Sequence, residues 1–580
     1  MRWRSFLAIA LSLLLAGCSG TPKPIDIEKL LQDFIGTSLA LSPVAATETG
    51  FHSYQGVELD GILDDYSSRG VDGMRLFYNS MHTDAKKLDS PKLPRESRAD
   101  LELIRQYCEA QLLDLDRIQT HKHNPTMYVE LIGRAINGPA MLKYASAEQR
   151  FRHIISRLNK VPQFLETAKA NLTDSPEIWN QVAQAEGEGD INLIDKDVRA
   201  QTPDLLKNDY AAAAAKAIAS IRNFNGWLKN SLSGHVSDWR LGRELYAEKF
   251  KYAMENGETP EQTLASAERK LGEIRAHMEE ESRQLWPKYF HRKPLPSDAN
   301  ALISSVLDKI AQDHTTADRF FNDAKQDLAE ATQFVKDHNL LPLPKLDNLQ
   351  VIPTPEFMRG VYGVGGFNPA PALQPQLGAF FWITPITPDM KPEEIESKLR
   401  EYNRYHLKLL TVHEAMPGHW VQAQYANDVQ PRSRGVLRQM LGSNPYIEGW
   451  AVYAEQLMVD EGYQPCPEMR LTFEKEMLRV LANAILDVKM QTQGMKDEEA
   501  LDLMINQTFQ ERQEATLKIR RAKLTSCQLP TYFAGWEAWL HLRDAYQKKA
   551  GSNFHLSEFH AEALKEGAVP MPLLQRLLIQ

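Results

Sequence analysis

The chain has little cysteine, no surplus of positive charge and, beyond its first twenty residues, no long hydrophobic run. Four cysteines in 580 residues are far too few for a scaffold built on disulfides. Lys and Arg number 67 against 76 Asp and Glu, a net charge of −9. Proteins that grip a phosphate backbone concentrate surplus cations on one face, so nucleic acid is not an expected partner. Glycine and proline, at 31 and 32 residues, fall short of a collagen-like or low-complexity bias. What is present is 43% hydrophobic and 25% charged residues, the balance of a folded globular body. At roughly 150 residues per domain the length would accommodate about four domains, although helical enzymes often run longer as one.

The N-terminus has its own pattern. Arg2 and Arg4 precede an apolar run from Phe6 to Leu15, and the small residues Ala16 and Gly17 follow. The run is shorter than the ~20 residues of a spanning helix and has the plan of a secretory signal peptide over residues 1–17. It closes on Leu15-Ala16-Gly17-Cys18, which resembles the bacterial lipobox. That resemblance implies a lipidated Cys18, a short tether over 18–25 and a protein that sits on a membrane without crossing it. Ser19 follows the cysteine; by resemblance to Gram-negative lipoproteins this implies the outer membrane, facing the periplasm. An ordinary signal peptide with a chance cysteine is the alternative. Cys108, Cys466 and Cys527 remain, and both a 466–527 disulfide and three free thiols stay open.

From residue 26 onward the hydrophobic periodicity is helical. Asp26–Leu41, Lys92–Arg117, Glu148–Leu172 and Asp209–Leu232 carry apolar residues at three- and four-residue spacing, as amphipathic helices require. Thr259-Pro260-Glu261-Gln262 is a capping box with Pro in the first turn and opens a helix to about Trp286. Breaks are expected at Gly187-Glu188-Gly189, at Pro294-Leu295-Pro296 and across Leu341–Pro355. The stretch Arg359–Pro385 is rich in Gly and Pro and reads as an irregular loop, followed by a β-type run Ala379–Thr384. A short sheet there either aligns an extended peptide along an exposed edge or is a structural hairpin. The expected fold class is therefore mainly α: one helical body over 26–580 with a small β-sheet beside a cleft.

The densest chemistry lies at 413–419. Pro392 starts a helix whose stripe runs Ile395, Leu399, Tyr402, His406, Leu409, His413, which turns His413 towards the core. His406, two turns earlier and roughly 10 Å along the axis, is expected to be a core or supporting histidine. Zinc proteases commonly place a second His four residues after the first, on the same helical face, but position 417 is Pro. On an unbroken helix His419 would point roughly 120° away from His413. Pro417 and Gly418 must therefore break the helix, with Gly418 free to take a positive φ, so that His419 swings back. Catalytic zinc takes three protein ligands and keeps an open position. A carboxylate from another segment should complete the set: Glu448, 29 residues beyond His419, begins a second helix after Pro445. Glu455, seven residues later, shares its face and is placed to orient a ligand imidazole.

His413-Glu414-x-x-Pro417-Gly418-His419-x-x-Gln422, then Glu448-Gly449-Trp450-Ala451-x-Tyr453-x-Glu455, then Tyr532-x-x-Gly535 with Leu542-Arg543, together resemble the motifs of the bacterial domain-of-unknown-function 885 family. Pro43-x-x-Ala46-Thr47-x-x-Gly50-x-His52 is similar to that family's opening segment. Trp420 departs from it, where many members carry a further histidine. The family is grouped with gluzincin-type zinc metallopeptidases, and the resemblance implies Zn2+ held by His413, His419 and Glu448, with Glu414 as general base. It also implies supporting or substrate-facing roles for Glu455, Gln422 and Arg543, the last binding a substrate carboxylate or pairing in the core. Tyr532 is the candidate oxyanion donor. The expected activity is zinc-dependent peptide hydrolysis in the periplasm. A hydrolase of another amide and a non-catalytic peptide-binding lipoprotein stay open, as does the oligomeric state. A serine nucleophile is not expected, because no Gly-x-Ser-x-Gly elbow occurs.

Overall fold

The structure, a computed structural model, describes residues 26–345, 347–355, 358–359, 363–387 and 389–579. The expected signal peptide, Cys18 and the tether to residue 25 lie outside them. The fold is mainly α, and the described residues form two small sheets of two and three strands. Among the described residues, no helix is long and apolar enough to cross a membrane. The chain divides into two compact units. The first takes the chain up to Ser237 with Pro371–Leu377 and Gln430–Leu441; the second takes Asp238–Ala370, Gly378–Val429 and the chain from Gly442 onward.

In the first unit, α1 (Ile27–Leu41), α2 (Pro43–Thr49), α3 (Ser68–Leu88) and α4 (Arg95–Leu113) bury Leu31, Phe34, Leu101 and Ile104 in one cluster with Leu437. Burying each such side chain contributes about 1.5–3 kcal/mol. Asp26 caps α1 by accepting from the Glu28 amide, as its position before the periodic run predicts. β1 (Ser53–Tyr54) and β2 (Val57–Glu58) form an antiparallel pair.

The segment from Pro43 to His52 serves a buried polar network. Arg157 donates to the Thr47 hydroxyl at 2.7 Å, and Thr47 donates to Asp60 at 2.7 Å. His52 sets Nδ1 2.9 Å from Asp60 and Nε2 3.0 Å from Gln374.

Two expectations in this unit are corrected. The periodicity of 148–172 predicts one helix, but two are found, Ala147–Leu158 and Val161–Asn171, the second starting with Pro162 in its first turn. Pro lacks the amide that would continue the first helix. The predicted break at Gly187-Glu188-Gly189 lies inside the helix Glu177–Asn192. There Gly187 allows close approach of Asn225, whose Oδ1 would lie 2.7 Å from an added Cβ.

The second unit begins its long helix α5 (Pro260–Phe290) with the predicted Thr259 and Gln262 capping box, and runs one turn past Trp286. A three-stranded sheet of order β3-β5-β4 follows, with β3 (Leu349–Pro353) parallel and β4 (Gly365–Asn368) antiparallel to β5 (Ala379–Ile383). β5 matches the predicted β-type run and is the central strand. β3 replaces an expected break, and β4 replaces part of an expected irregular loop. Leu349 and Val351 pack beside Phe381 and Ile383, so tertiary burial overrides the local Pro content.

The helix predicted from Pro392 to His413 is two, α6 (Pro392–Glu401) and α7 (Arg404–Glu414). Tyr402 closes the first, and Asn403 caps the second by accepting from the Tyr405 and His406 amides. The apolar stripe survives the break, which is why periodicity conceals it. α8 (His419–Asn427), α9 (Asn444–Asp460), α10 (Pro467–Thr492), α11 (Arg512–Leu524) and α12 (Pro530–Ala550) complete the elements used below. Cys108, Cys466 and Cys527 are all free thiols, so the 466–527 disulfide is not formed.

Candidate metal centre

The helix break sits where the sequence places it. α7 ends at Glu414 and α8 begins at His419. Gly418, however, has φ −70°, not a positive value. Its requirement is steric: a Cβ there would lie 1.9 Å from the His413 carbonyl oxygen. The Gly418 amide donates to the Val412 carbonyl at 2.9 Å, and Trp450 Nε1 donates to the Pro417 carbonyl at 2.9 Å. The indole of the Glu-Gly-Trp motif therefore pins the turn that brings His419 back to His413. A second close approach sets the carboxylate. A Cβ on Gly449 would lie 2.3 Å from the Gly535 backbone, and one on Gly535 2.0 Å from the Pro445 carbonyl. α9 and α12 thus cross backbone to backbone, which positions Glu448 and Tyr532.

The His413 and His419 rings stand at 90° with centroids 4.7 Å apart. Glu448 Oε2 lies 3.6 Å from His413 Nε2 and 3.4 Å from His419 Nε2. One donor atom from each of the three residues falls within 4.8 Å of the others. Tetrahedral zinc at about 2.0–2.2 Å from each N or O ligand separates its ligands by roughly 3.3–3.5 Å. Glu448 Oε2 is buried with no hydrogen-bond partner among the described residues, a costly state for a carboxylate oxygen unless something positive meets it. The donor set and its spacing fit zinc.

His413 Nδ1 lies 2.7 Å from Glu455 Oε1, which turns Nε2 towards Glu448. Burial alone would push the His413 pKa down, but the neighbouring Glu448 and Glu455 carboxylates hold it well above the usual histidine value. Burial pushes Glu448 up, and the two imidazoles outweigh it, leaving the carboxyl below the usual range.

Glu414, adjacent to His413, is half-buried, and no hydrogen bond or ion pair engages its carboxylate among the described residues. The Tyr532 ring lies 6.3 Å from the His413 ring. Arg521 and Gln528 each donate to the Tyr532 oxygen at 3.4 Å, so the phenolic proton is left to donate elsewhere. Burial, then the Glu448 charge, raises the Tyr532 pKa and keeps it protonated. Arg521 and Gln528 belong to none of the sequence motifs; Gln528 precedes Tyr532 by four residues, just ahead of α12.

His406 is a supporting histidine, with Nδ1 2.8 Å from the Glu401 carbonyl and Nε2 3.0 Å from Glu476. Gln422 is buried on α8, and no hydrogen bond joins its side chain to the three donors among the described residues. Arg543, half-buried, stands over the Tyr453 ring at 5.6 Å and is not brought to the three donors. Trp420, the departure from the family pattern, donates to Asn348 at 3.0 Å. β4, an edge strand, reaches the site through Phe367, whose ring lies 6.3 Å from that of His419.

The model of a bacterial protein family of unknown function, DUF885, matches residues 43–578. The chain belongs to that family. A chain solved from Shewanella oneidensis, described as a candidate lipoprotein of unknown function, is similar over 96% of this chain and all of its own. It has 28% identity and a TM-score of 0.80. One from Colwellia psychrerythraea, also described as a candidate lipoprotein, matches 95% of this chain and 98% of its own at 17% identity and a TM-score of 0.77, a likeness of fold. No curated protein matches the chain.

Proposed function

We propose that this DUF885 member is a zinc-dependent peptidase, held in the bacterial cell envelope by lipid on Cys18 and facing the periplasm from the outer membrane. The lipobox-like ending at Cys18 and the description of the solved relatives as candidate lipoproteins support the anchor. One observation carries the activity: the orphaned Glu448 Oε2 between two histidine nitrogens, with an unengaged Glu414 beside them.

Zinc held by His413, His419 and Glu448 would supply Lewis acidity towards the scissile carbonyl and towards water. Glu414 takes the proton of the attacking water and passes it to the leaving amine. Tyr532 donates its phenolic proton in a hydrogen bond to the oxyanion as charge develops, its oxygen steadied by Arg521 and Gln528. Glu455 keeps His413 in the right tautomer and orientation. The edge strand β4 offers main-chain groups along which an extended peptide can add as a further strand, which favours a peptide over another amide.

The test is a mass-spectrometric digest of a diverse peptide library by the chain lacking residues 1–18. The wild type should cleave it, and Glu414→Gln should keep its zinc and lose about 10²–10⁴-fold in rate. A fully zinc-loaded wild type that leaves the library intact overturns the peptidase function.

A further inference from the structure

A second group of metal-ligating side chains lies away from the proposed zinc centre, where α5 packs against α10. His277 and Glu281 stand four residues apart on α5, the spacing that sends two side chains off one helical face, and Glu474 meets them from α10. One donor atom from each lies within 4.8 Å of the other two. His277 Nδ1 is in contact with Glu474 Oε1.

The two carboxylates are only 8% and 9% exposed. Glu281 Oε2 and Glu474 Oε2 are buried without a hydrogen-bond partner among the described residues. Arg470 approaches Glu281 at 3.4 Å, but on the other oxygen, Oε1, and its side chain is 62% exposed. Two carboxylates packed this closely set acceptor against acceptor, which is repulsive unless a proton or a cation lies between them. Burial pushes both acids up, Glu474 to about 7, the response of carboxylates short of positive charge. The imidazole, 59% exposed, stands at the rim, where an ion can enter from solvent.

We propose that His277, Glu281 and Glu474 form a second divalent-metal site that clips α5 to α10. One imidazole and two carboxylates suit a borderline ion such as Zn2+ or Mn2+; Mg2+ and Ca2+ prefer all-oxygen shells. Without Glu414-like and Tyr532-like neighbours in the group, its role is structural. It holds α10, which carries Glu476, the partner of His406.

The probe is Zn2+ alone, added to the chain lacking residues 1–18 and measured by equilibrium dialysis with elemental analysis. The wild type should hold two equivalents and His419→Ala one. In the His419→Ala background, Zn2+ should raise the thermal midpoint, and Glu474→Gln or Glu281→Gln should abolish both that rise and the remaining equivalent. If Glu474→Gln changes the folded chain little but removes no zinc, a shared proton joins the two acids and the proposal falls. Loss of one equivalent in Glu474→Gln with none lost in His419→Ala would support this site and contradict the catalytic one.

Discussion

Two histidine and carboxylate clusters, one in each unit, use the same residue types to different ends. In the first unit His52 has both ring nitrogens engaged, by Asp60 and Gln374. His153 has both engaged too, by Tyr144 and Glu58 at 2.9 Å each. Asp60 is served by Thr47 and His52. In the second unit His413 is held by Glu455, but Glu448 Oε2, between the two imidazoles, is buried with no hydrogen-bond partner among the described residues. A satisfied network rigidifies a core, whereas an orphaned carboxylate oxygen at ligand spacing from two imidazoles describes a place for a cation. Composition does not separate the two clusters; the count of unmet hydrogen bonds does.

Four substitutions or conditions press on that contrast. His419→Ala removes a proposed ligand and should lower zinc affinity beyond the ~10–100-fold typical of losing a supporting partner, read by competition with a chromogenic chelator. Glu455→Gln keeps all three ligands but weakens the bond that orients His413, and should cost about 10–100-fold in the same assay.

A third histidine is satisfied as fully as His52 and His153. His560 is buried, with Nδ1 2.7 Å from the Leu340 carbonyl and Nε2 2.8 Å from the Tyr453 hydroxyl. Burial, with the Arg543 charge adding to it, pushes its pKa down to about 4 from the ordinary 6.5. The unfolded chain takes up a proton below that ordinary value and the folded one does not. The stability from a neutral His560 is therefore complete above pH ~6.5 and is lost as pH falls through about 4. It should amount to about 3 kcal/mol, read from urea midpoints of the wild type against His560→Gln. The smallest effect is expected at His52→Ala, which strips a partner from Asp60 and costs about 1–3 kcal/mol in stability. Zinc content should not change; a loss of zinc there would break the contrast between the clusters.

The grouping of His413, His419 and Glu448 was more legible in the sequence than the fold around it. Pro417 and Gly418 cannot continue a helix, so His413 and His419 had to meet through a break, and the seven-residue spacing put Glu448 and Glu455 on one face. Other features depend on contacts between distant segments. The apolar stripe runs unbroken across Asn403, so periodicity could not divide α6 from α7. β3 is a strand because β5 pairs with it, and its own sequence is punctuated by proline. Gly187 signals a break only until the Asn225 side chain crowding it is known. Arg521 reaches Tyr532 from another helix, and Glu474 meets His277 across almost two hundred residues of chain; neither pairing leaves a local pattern.

The most direct test of the central claim is crystallographic: grow the chain lacking residues 1–18 with Zn2+ and collect anomalous data at the zinc edge. A peak bounded by His413 Nε2, His419 Nε2 and Glu448 Oε2, absent in His419→Ala, is expected. No peak at that place under saturating zinc would contradict the claim, whatever is found elsewhere in the molecule.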